Sequence, residues 1–229
     1  MPAQMWIPEL AKAFDPNAAF SDRQFGNISV SIRNIGELWV PTGRIVACDP
    51  FVFAETLSFP QTIIPGKYPV MLSIAVLEND QRTGCAMLKL SDQPVSRWEM
   101  AVLPGQDKGS LKEREFFGYP VDSGTGCFMD EDSAHTLRTR LQQDDKYFEE
   151  IIHAMDKTYV NTWSWANIEV ATERNVITFS SGFGDGLYGS YFGYDSSGRP
   201  ACLVTDFGVF FVPYDQQEHP SRRWWQLWK

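Results

Sequence analysis

The chain has 229 residues, of which 43% are hydrophobic and 21% charged, a balance that is typical of globular proteins and excludes a largely disordered chain. Its 20 basic and 29 acidic residues give a formal net charge of −9, which argues against nucleic acid as a partner because phosphate binding needs a basic surface. Aromatic residues make up 14% of the chain, and this abundance favours β structure. We predict a single domain over residues 1–229, without internal repeats.

The first residues and the cysteines bear on the location of the protein. Residues 1–9 carry neither a basic segment nor an apolar run long enough for a signal peptide, and no stretch approaches the roughly 18 apolar residues of a membrane helix. The cysteines form no Cys-x-x-Cys pair and show no zinc-binding spacing with the histidines. We therefore expect a cytoplasmic protein that does not bind membranes, with no metal site, no evident cofactor and four reduced, mostly buried thiols (Cys48, Cys85, Cys127 and Cys202).

The N-terminal part of the chain changes from helical to strand patterning. Residues 5–14 are predicted to form a short helix that ends before Asp15-Pro16. Residues 28–33 alternate apolar and polar side chains, which predicts a strand with one solvated face. Two further strands are predicted on either side of the turn residues Pro41-Thr42-Gly43, at Leu38–Val40 and Arg44–Cys48.

The next part of the chain contains the clearest hairpin. Residues 68–77 and 85–90 are apolar, and the polar segment between them ends in glycine. A strand that is apolar on both faces belongs in the centre of a sheet, so we place both strands there. Residues 96–103 predict another strand, and residues 104–115 are the most linker-like stretch.

A helical insertion follows, and strands then resume. Asp130 or Asp132 can cap a helix through Leu141, and a second helix starting at Asp145 places apolar residues at i, i+3, i+4 and i+7 (Phe148, Ile151, Ile152 and Met155). The later predicted strands are Ile168–Ala171, Val176–Ser180, Leu187–Tyr194, Cys202–Asp206 and Val209–Val212. The sequence therefore predicts an α+β fold, mainly antiparallel β-sheet, with one helical insertion around residues 130–158.

Three segments, 118–130, 179–188 and 203–208, place aspartate close to glycine. Glycine allows backbone to approach a ligand closely, and an aspartate beside it supplies a charge or a hydrogen-bond acceptor. These segments give three candidate catalytic carboxylates (Asp122, Asp185 and Asp206) and a set of candidate ligand- or partner-binding residues (Gly124, Gly126, Gly184, Gly186 and Tyr188). The alternative is that the segments are only turns, with Asp122 accepting hydrogen bonds from nearby amides.

Other chemistry is less well supported. The glycines at 182 and 184 precede strand-like residues rather than a helix, which excludes a dinucleotide-binding loop. Ser180, Ser181 and Cys127 are possible nucleophiles, but no histidine lies in a comparable glycine-rich context. A nucleophile–histidine site stays open at this stage because such partners meet only in space.

Arg97 and Glu99 lie two residues apart on a predicted strand and therefore point the same way. They form either a solvated ion pair or a site in which the arginine holds a carboxylate or phosphate. We expect the three aspartates to meet at one rim of a sheet, around a cleft, with Arg97 close by.

The last nine residues, 221–229, carry three cations and three tryptophans. Tryptophans at a terminus dock on the core edge of their own domain or, when exposed, form a partner-binding hot spot. Trp224 and Trp225 are the candidates for such a hot spot.

Over roughly residues 60–212 the sequence resembles the domain-of-unknown-function family 4241, found mostly in bacteria. The resemblance rests on four segments in order, Arg97–Ala101, Gly118–Phe128, Ser180–Tyr188 and Leu203–Phe207. The family typically has alanine, tryptophan and proline where this chain has Ser123, Phe183 and Gly189. The resemblance implies that these segments are a shared signature whose polar residues line a site, and it implies no activity, substrate or cofactor.

Two classes of function fit these observations. The first is a partner-binding protein, of the immunity type or a regulator in bacterial conflict, whose acidic surface steers association with a basic protein. The alternative is a hydrolase or phosphate-acting enzyme that uses the clustered aspartates, with or without a divalent metal. The sequence does not decide whether the chain is an enzyme.

Overall fold

Strands dominate the computed structural model, which describes residues 7–22, 25–52 and 56–210. The strands in these ranges are β1 (Ala19–Asp22), β2 (Gly26–Val40), β3 (Ile45–Cys48), β4 (Gly66–Val76), β5 (Gln81–Lys89), β6 (Arg97–Met100), β7 (Gly118–Val121), β8 (Thr125–Asp130), β9 (Trp165–Ala171), β10 (Arg174–Ser180), β11 (Gly186–Tyr194) and β12 (Pro200–Asp206). The helices are α1 (Leu10–Ala13), α2 (Glu131–Gln143) and α3 (Asp145–Asp156). None of these helices has the length and apolar character needed to cross a bilayer.

The larger sheet has eight strands, in the order β1-β2-β4-β5-β12-β11-β6, with β7 also paired to β11. Every pairing in it is antiparallel. The hairpin β4–β5 lies in the interior of this sheet, as its apolar character on both faces predicts. The expected α+β fold, mainly antiparallel β-sheet, is confirmed, and α2 and α3 form the helical insertion predicted around residues 130–158.

In the smaller sheet, β3-β8-β10-β9, the strands β3, β8 and β10 are buried on both faces, whereas the edge strand β9 exposes Asn167 and Glu169. Ala47 and Phe128 join the core shared with the larger sheet, whereas their neighbours Val46 and Met129 join a second core against α2 and α3. This division follows from the two-residue period of a strand. The molecule is therefore layered as larger sheet, smaller sheet and helix pair.

The N-terminal segment covers part of the other face of the larger sheet. Leu10 and Ala13 of α1 are fully buried, and the hydroxyl of Ser73 on β4 donates to the carbonyl of Ala13. The helix is one turn long and begins later than the predicted 5–14, because Pro8 disfavours helical backbone at the residue before it; residues 5 and 6 lie outside the described residues.

Two elements differ from the sequence expectation. The glycine- and proline-rich residues 118–121 form a strand, β7, and Pro120 is compatible with it because β7 pairs only with β11. The predicted strand at Val209–Val212 does not continue β12, since Gly208 has a φ of +66° and the chain turns there. Residues 211 and 212 lie outside the described residues.

The packing between the two sheets predicts the effect of a core truncation. Phe128 is fully buried and its ring packs edge-on against that of Phe179, with centroids 5.2 Å apart. We expect Phe128→Ala to lower the free energy of unfolding by about 3–5 kcal/mol, measured by urea denaturation. The substitution leaves a cavity between the two sheets, and the surrounding strands can fill it only in part. Leu57→Ala, at a side chain that is 58% exposed, is the matched control and should change it by less than about 0.5 kcal/mol. Equal effects of the two substitutions would contradict the layered arrangement.

Candidate functional site

Two glycine-rich turns meet at one end of the molecule. Residues 122–124 join β7 to β8, and residues 181–185 join β10 to β11. The N–H of Ser181 donates to the carbonyl of Gly124 (3.1 Å), and Val121 pairs with Gly186. We call these two turns the turn cluster. Asp122 and Asp185 lie in it and both are exposed.

The glycines of the turn cluster are needed for its backbone conformation. Gly124 has a φ of +66° and Gly184 a φ of +111°, a region that other residues adopt only with strain. Gly126 and Gly186 are needed for packing instead, since a Cβ at either position would lie 2.8 Å from a tyrosine, Tyr119 or Tyr188 respectively. Gly124 and Gly184 therefore shape the turns, and Gly126 and Gly186 allow the adjoining strands to pack against tyrosines.

A buried carboxylate beneath the turn cluster holds one of its turns in place. Asp49 is fully buried, and its Oδ2 accepts the backbone N–H groups of Asp122 (3.0 Å) and Ser123 (2.9 Å). Its Oδ1 accepts those of Phe51 (2.9 Å) and Val52 (3.2 Å). Four donors satisfy the carboxylate without a cation. The carboxylate that accepts the amides of this turn is therefore Asp49, and no hydrogen bond to the Asp122 side chain is found among the described residues.

Tyr188 closes the second turn. Its hydroxyl donates to the carbonyl of Gly184 (2.7 Å), which also accepts the hydroxyl of Ser181 (2.9 Å). Burial raises the pKa of Tyr188, and the carboxylates of Asp185 and Asp206 raise it further. The phenol is therefore a neutral donor that shapes the turn, and both aspartates lie near it.

Asp206 shares this end of the molecule but has a different environment. Its side chain is buried, and its Oδ1 accepts the N–H of Gly208 (2.9 Å) and faces the thiol of Cys85 (3.9 Å). Desolvation by burial raises the pKa of Asp206 to about 7. The structure thus brings the three candidate aspartates to one end of the fold, with only Asp122 and Asp185 facing solvent.

Arg97 and Glu99 do not belong to this site. Arg97 pairs with Tyr194, which lies eight residues along β11 from Gly186. Arg97 is therefore about 27 Å along the strand from the turn cluster. Its guanidinium lies 4.1 Å from the ring centroid of Tyr194 and forms an ion pair with Glu99. The expectation that Arg97 lies near the aspartates is wrong because β6 pairs with the far half of β11.

The candidate nucleophiles have no histidine beside them in the part of the chain that the structure describes. Ser180 interacts with Ser164 (hydroxyl oxygens 3.2 Å apart), and Cys127 lies opposite Cys48 on the neighbouring strand. His135 and His153 are exposed on α2 and α3, whereas Cys127 is buried in the core beneath these helices. Within the described ranges no group of three or more His, Cys, Asp or Glu side chains is placed to hold a metal ion.

The surface of the turn cluster combines an aromatic ring with charge. Phe183 is 46% exposed, stacks on Phe25 with ring centroids 5.0 Å apart, and lies 5.2 Å from the guanidinium of Arg82. Leu187, at the start of β11, is 44% exposed. Trp224 and Trp225, the candidate hot spot in the tail, lie outside the described residues.

Comparison with known proteins gives one family match. Residues 38–205 match the model of a family described as a protein of unknown function, DUF4241. The matched region includes Asp49 and the turn cluster, and it begins earlier than the resemblance over residues 60–212 predicts. No curated protein and no solved structure matches the chain.

Asp49 gives a prediction for the stability of the site. Asp49→Asn replaces one acceptor oxygen by an N–H₂ group, which leaves two of the four backbone donors facing a donor. We expect the free energy of unfolding to fall by about 2–4 kcal/mol in urea denaturation. Asp107→Asn, at an exposed aspartate that accepts the N–H of Gly109, should lower it by less than about 1 kcal/mol. A loss no larger than that of the control would contradict the role of Asp49.

Asp206 gives a prediction for pH dependence. Its pKa is about 7 in the folded protein and near 3.8 when unfolded, so the folded protein holds an extra proton between these values and loses stability as pH rises. Relative to Asp206→Asn, the wild type should lose about 1.4 kcal/mol of unfolding free energy per pH unit from pH 5 to about 6.5 and level off above about pH 8.

Asp195→Asn serves as the control for this titration. Hydrogen bonds from Ser197 and Arg199 lower the pKa of Asp195, so this carboxyl does not titrate between pH 5 and pH 8. The difference in unfolding free energy between wild type and Asp195→Asn should therefore be constant over this range. If the difference in unfolding free energy between wild type and Asp206→Asn is also constant over this range, the pKa of the Asp206 carboxyl is not raised.

Proposed function

The chain belongs to the DUF4241 family, and from this premise we propose that it is a cytoplasmic partner-binding protein that binds a basic protein through the turn cluster. An immunity-type protein that neutralises a toxin, or a regulator in bacterial conflict, is the specific form of this proposal. The observation that carries it is the exposed ring of Phe183, fixed between Phe25 and Arg82 beside the exposed Asp122 and Asp185.

The composition of this surface supports a protein partner. Binding hot spots are enriched in aromatic and arginine side chains that are rigid before binding, and Phe183 and Arg82 meet both conditions. Asp122 and Asp185 beside them supply negative charge, and the net charge of −9 steers basic proteins towards the chain.

One observation favours the alternative of a hydrolase or phosphate-acting enzyme. A carboxyl with a pKa of about 7, such as that of Asp206, suits general acid–base catalysis at neutral pH. Its side chain is only 8% exposed, however, and its carboxyl contacts the Cys85 thiol and the Gly208 N–H. The solvent-facing groups of the turn cluster therefore fit binding better than this buried carboxyl fits catalysis.

The test compares affinity capture by the wild type with capture by two variants. We expect the wild type and Ile64→Ser, whose side chain is 79% exposed, to retain a basic protein that Phe183→Ser does not retain. The retained protein is then purified, and calorimetry should show at least about tenfold weaker binding to Phe183→Ser. Asp185→Asn should fold normally, because asparagine also suits this turn, and it should weaken binding mainly at low salt.

Two outcomes contradict the proposal. The first is that Phe183→Ser binds the purified protein as tightly as Ile64→Ser does. The second is that the wild type hydrolyses a phosphoester and Asp185→Asn or Asp206→Asn lowers that turnover by about 100-fold or more without loss of stability, as expected for a catalytic carboxylate.

A further inference from the structure

The turn between α3 and β9 has an unfavourable residue at its centre. Val160 and Trp163 exchange backbone hydrogen bonds (2.9 and 3.2 Å), and the two residues between them, Asn161 and Thr162, have φ values of +48° and +77°. Two successive positive φ values are typical of a type I′ turn, which prefers glycine at its second central position. A β-branched residue such as Thr162 adopts this conformation only with strain.

The side chain of Thr162 offsets this strain by attaching the turn to the hairpin between β4 and β5. Its hydroxyl lies 2.8 Å from the carbonyl oxygen of Gln81 and also contacts the carboxylate of Asp80. The indole N–H of Trp163 donates to the side-chain oxygen of Gln81 (3.2 Å). The turn is therefore fixed in one position before any partner arrives, which reduces the entropy lost on binding.

The same hairpin connects this turn to the turn cluster. Arg82, next to Gln81, lies over the ring of Phe183, so the two turns contact the hairpin through neighbouring residues. Tyr159 and Val160, adjacent in this turn, are 58% and 50% exposed and together present apolar surface to solvent.

The charge of this region is one-sided. The tip of the hairpin, residues 77–82, and the turn cluster carry Glu78, Asp80, Asp122 and Asp185 against Arg82, a net of −3. An acidic surface that also exposes apolar side chains is complementary to a basic protein segment with interspersed apolar residues.

We infer that residues 159–162, which we call the contact loop, are a second binding element that holds a basic, partly apolar segment of a protein partner through Tyr159 and Val160. This inference rests on the proposed function, since it assigns to the same partner a contact beyond the turn cluster.

The test uses a defined probe, a fluorescently labelled dodecapeptide of alternating arginine and leucine, titrated with the full chain at low salt and followed by fluorescence polarisation. Tyr159→Ser and Phe183→Ser are each expected to weaken binding by about tenfold. Ile64→Ser is the matched control. It changes another exposed apolar side chain near the start of β4, about 34 Å along the strand from the tip of the hairpin, and should leave binding unchanged.

Thr162→Gly tests the fixed position of the contact loop. Glycine accepts the positive φ without strain, so the melting temperature should not fall much, but the hydroxyl that attaches the turn to Gln81 is lost. We expect about threefold weaker binding of the same peptide, because the freed loop loses entropy on binding. Unchanged affinity in a stable Thr162→Gly variant would overturn this part of the inference.

Each result separates the inference from the proposed function. Loss of binding in Phe183→Ser alone overturns the contact loop and leaves the turn cluster intact. Loss in Tyr159→Ser alone supports the contact loop and contradicts the turn cluster. Equal binding by all variants, no measurable binding by the wild type, or equal binding of a dodecapeptide of alternating glutamate and leucine overturns both.

Discussion

The carboxylate of Asp49 accepts four backbone N–H groups from two separate parts of the chain, residues 51–52 and 122–123. A fully buried carboxylate is stable only when its oxygens are satisfied in this way. Because Asp49 directly follows β3 and residues 122–123 lie in the turn that leads into β8, the interaction links the ends of two paired strands. The turn that carries Asp122 thereby gains a fixed position, and the second turn is bonded to it through Gly124.

The position of the smaller sheet explains how an exposed surface can be this rigid. Its strands β3, β8 and β10 are buried by the larger sheet on one face and by α2 and α3 on the other, so the turns at the end of β8 and β10 project from a structure that has little freedom to move. The side chains that project from them are an aromatic ring and two carboxylates, while the tyrosine and the third aspartate stay inside. Rigid presentation of a few side chains is typical of binding surfaces with pronounced hot spots.

The sequence predicts the strands and helices well where one periodic pattern dominates. The apolar hairpin β4–β5 and the stripe through Ile151 and Met155 are found where expected, since burial on both faces or on one helical stripe leaves a clear pattern. The sequence predicts structure poorly where glycine and proline break the strand pattern, as in β7. It also fails for the distance between Arg97 and the aspartates, because that distance depends on which half of β11 is paired with β6.

The candidate site was predictable only in part. Glycine beside aspartate correctly indicates that Asp122, Asp185 and Asp206 come to one end of the fold, but it cannot tell the exposed carboxylates from the buried one. Asp49 could not be found, because an aspartate before proline indicates only a break in a strand, and its four donors are supplied by backbone that any residue carries. The role of the Thr162 hydroxyl could not be predicted either, because its partners on the hairpin are about 80 residues away in sequence.

Amide hydrogen exchange of the native protein tests most directly whether Asp49 organises the site. The N–H of Ser123 belongs to an exposed residue in a turn, yet it donates to the buried carboxylate, so we predict that it exchanges only on global unfolding, as slowly as the core amides of β8. The N–H of Asp185 in the neighbouring turn provides the internal reference, and we expect it to exchange much faster. Exchange of Ser123 as fast as that of Asp185 would contradict the account.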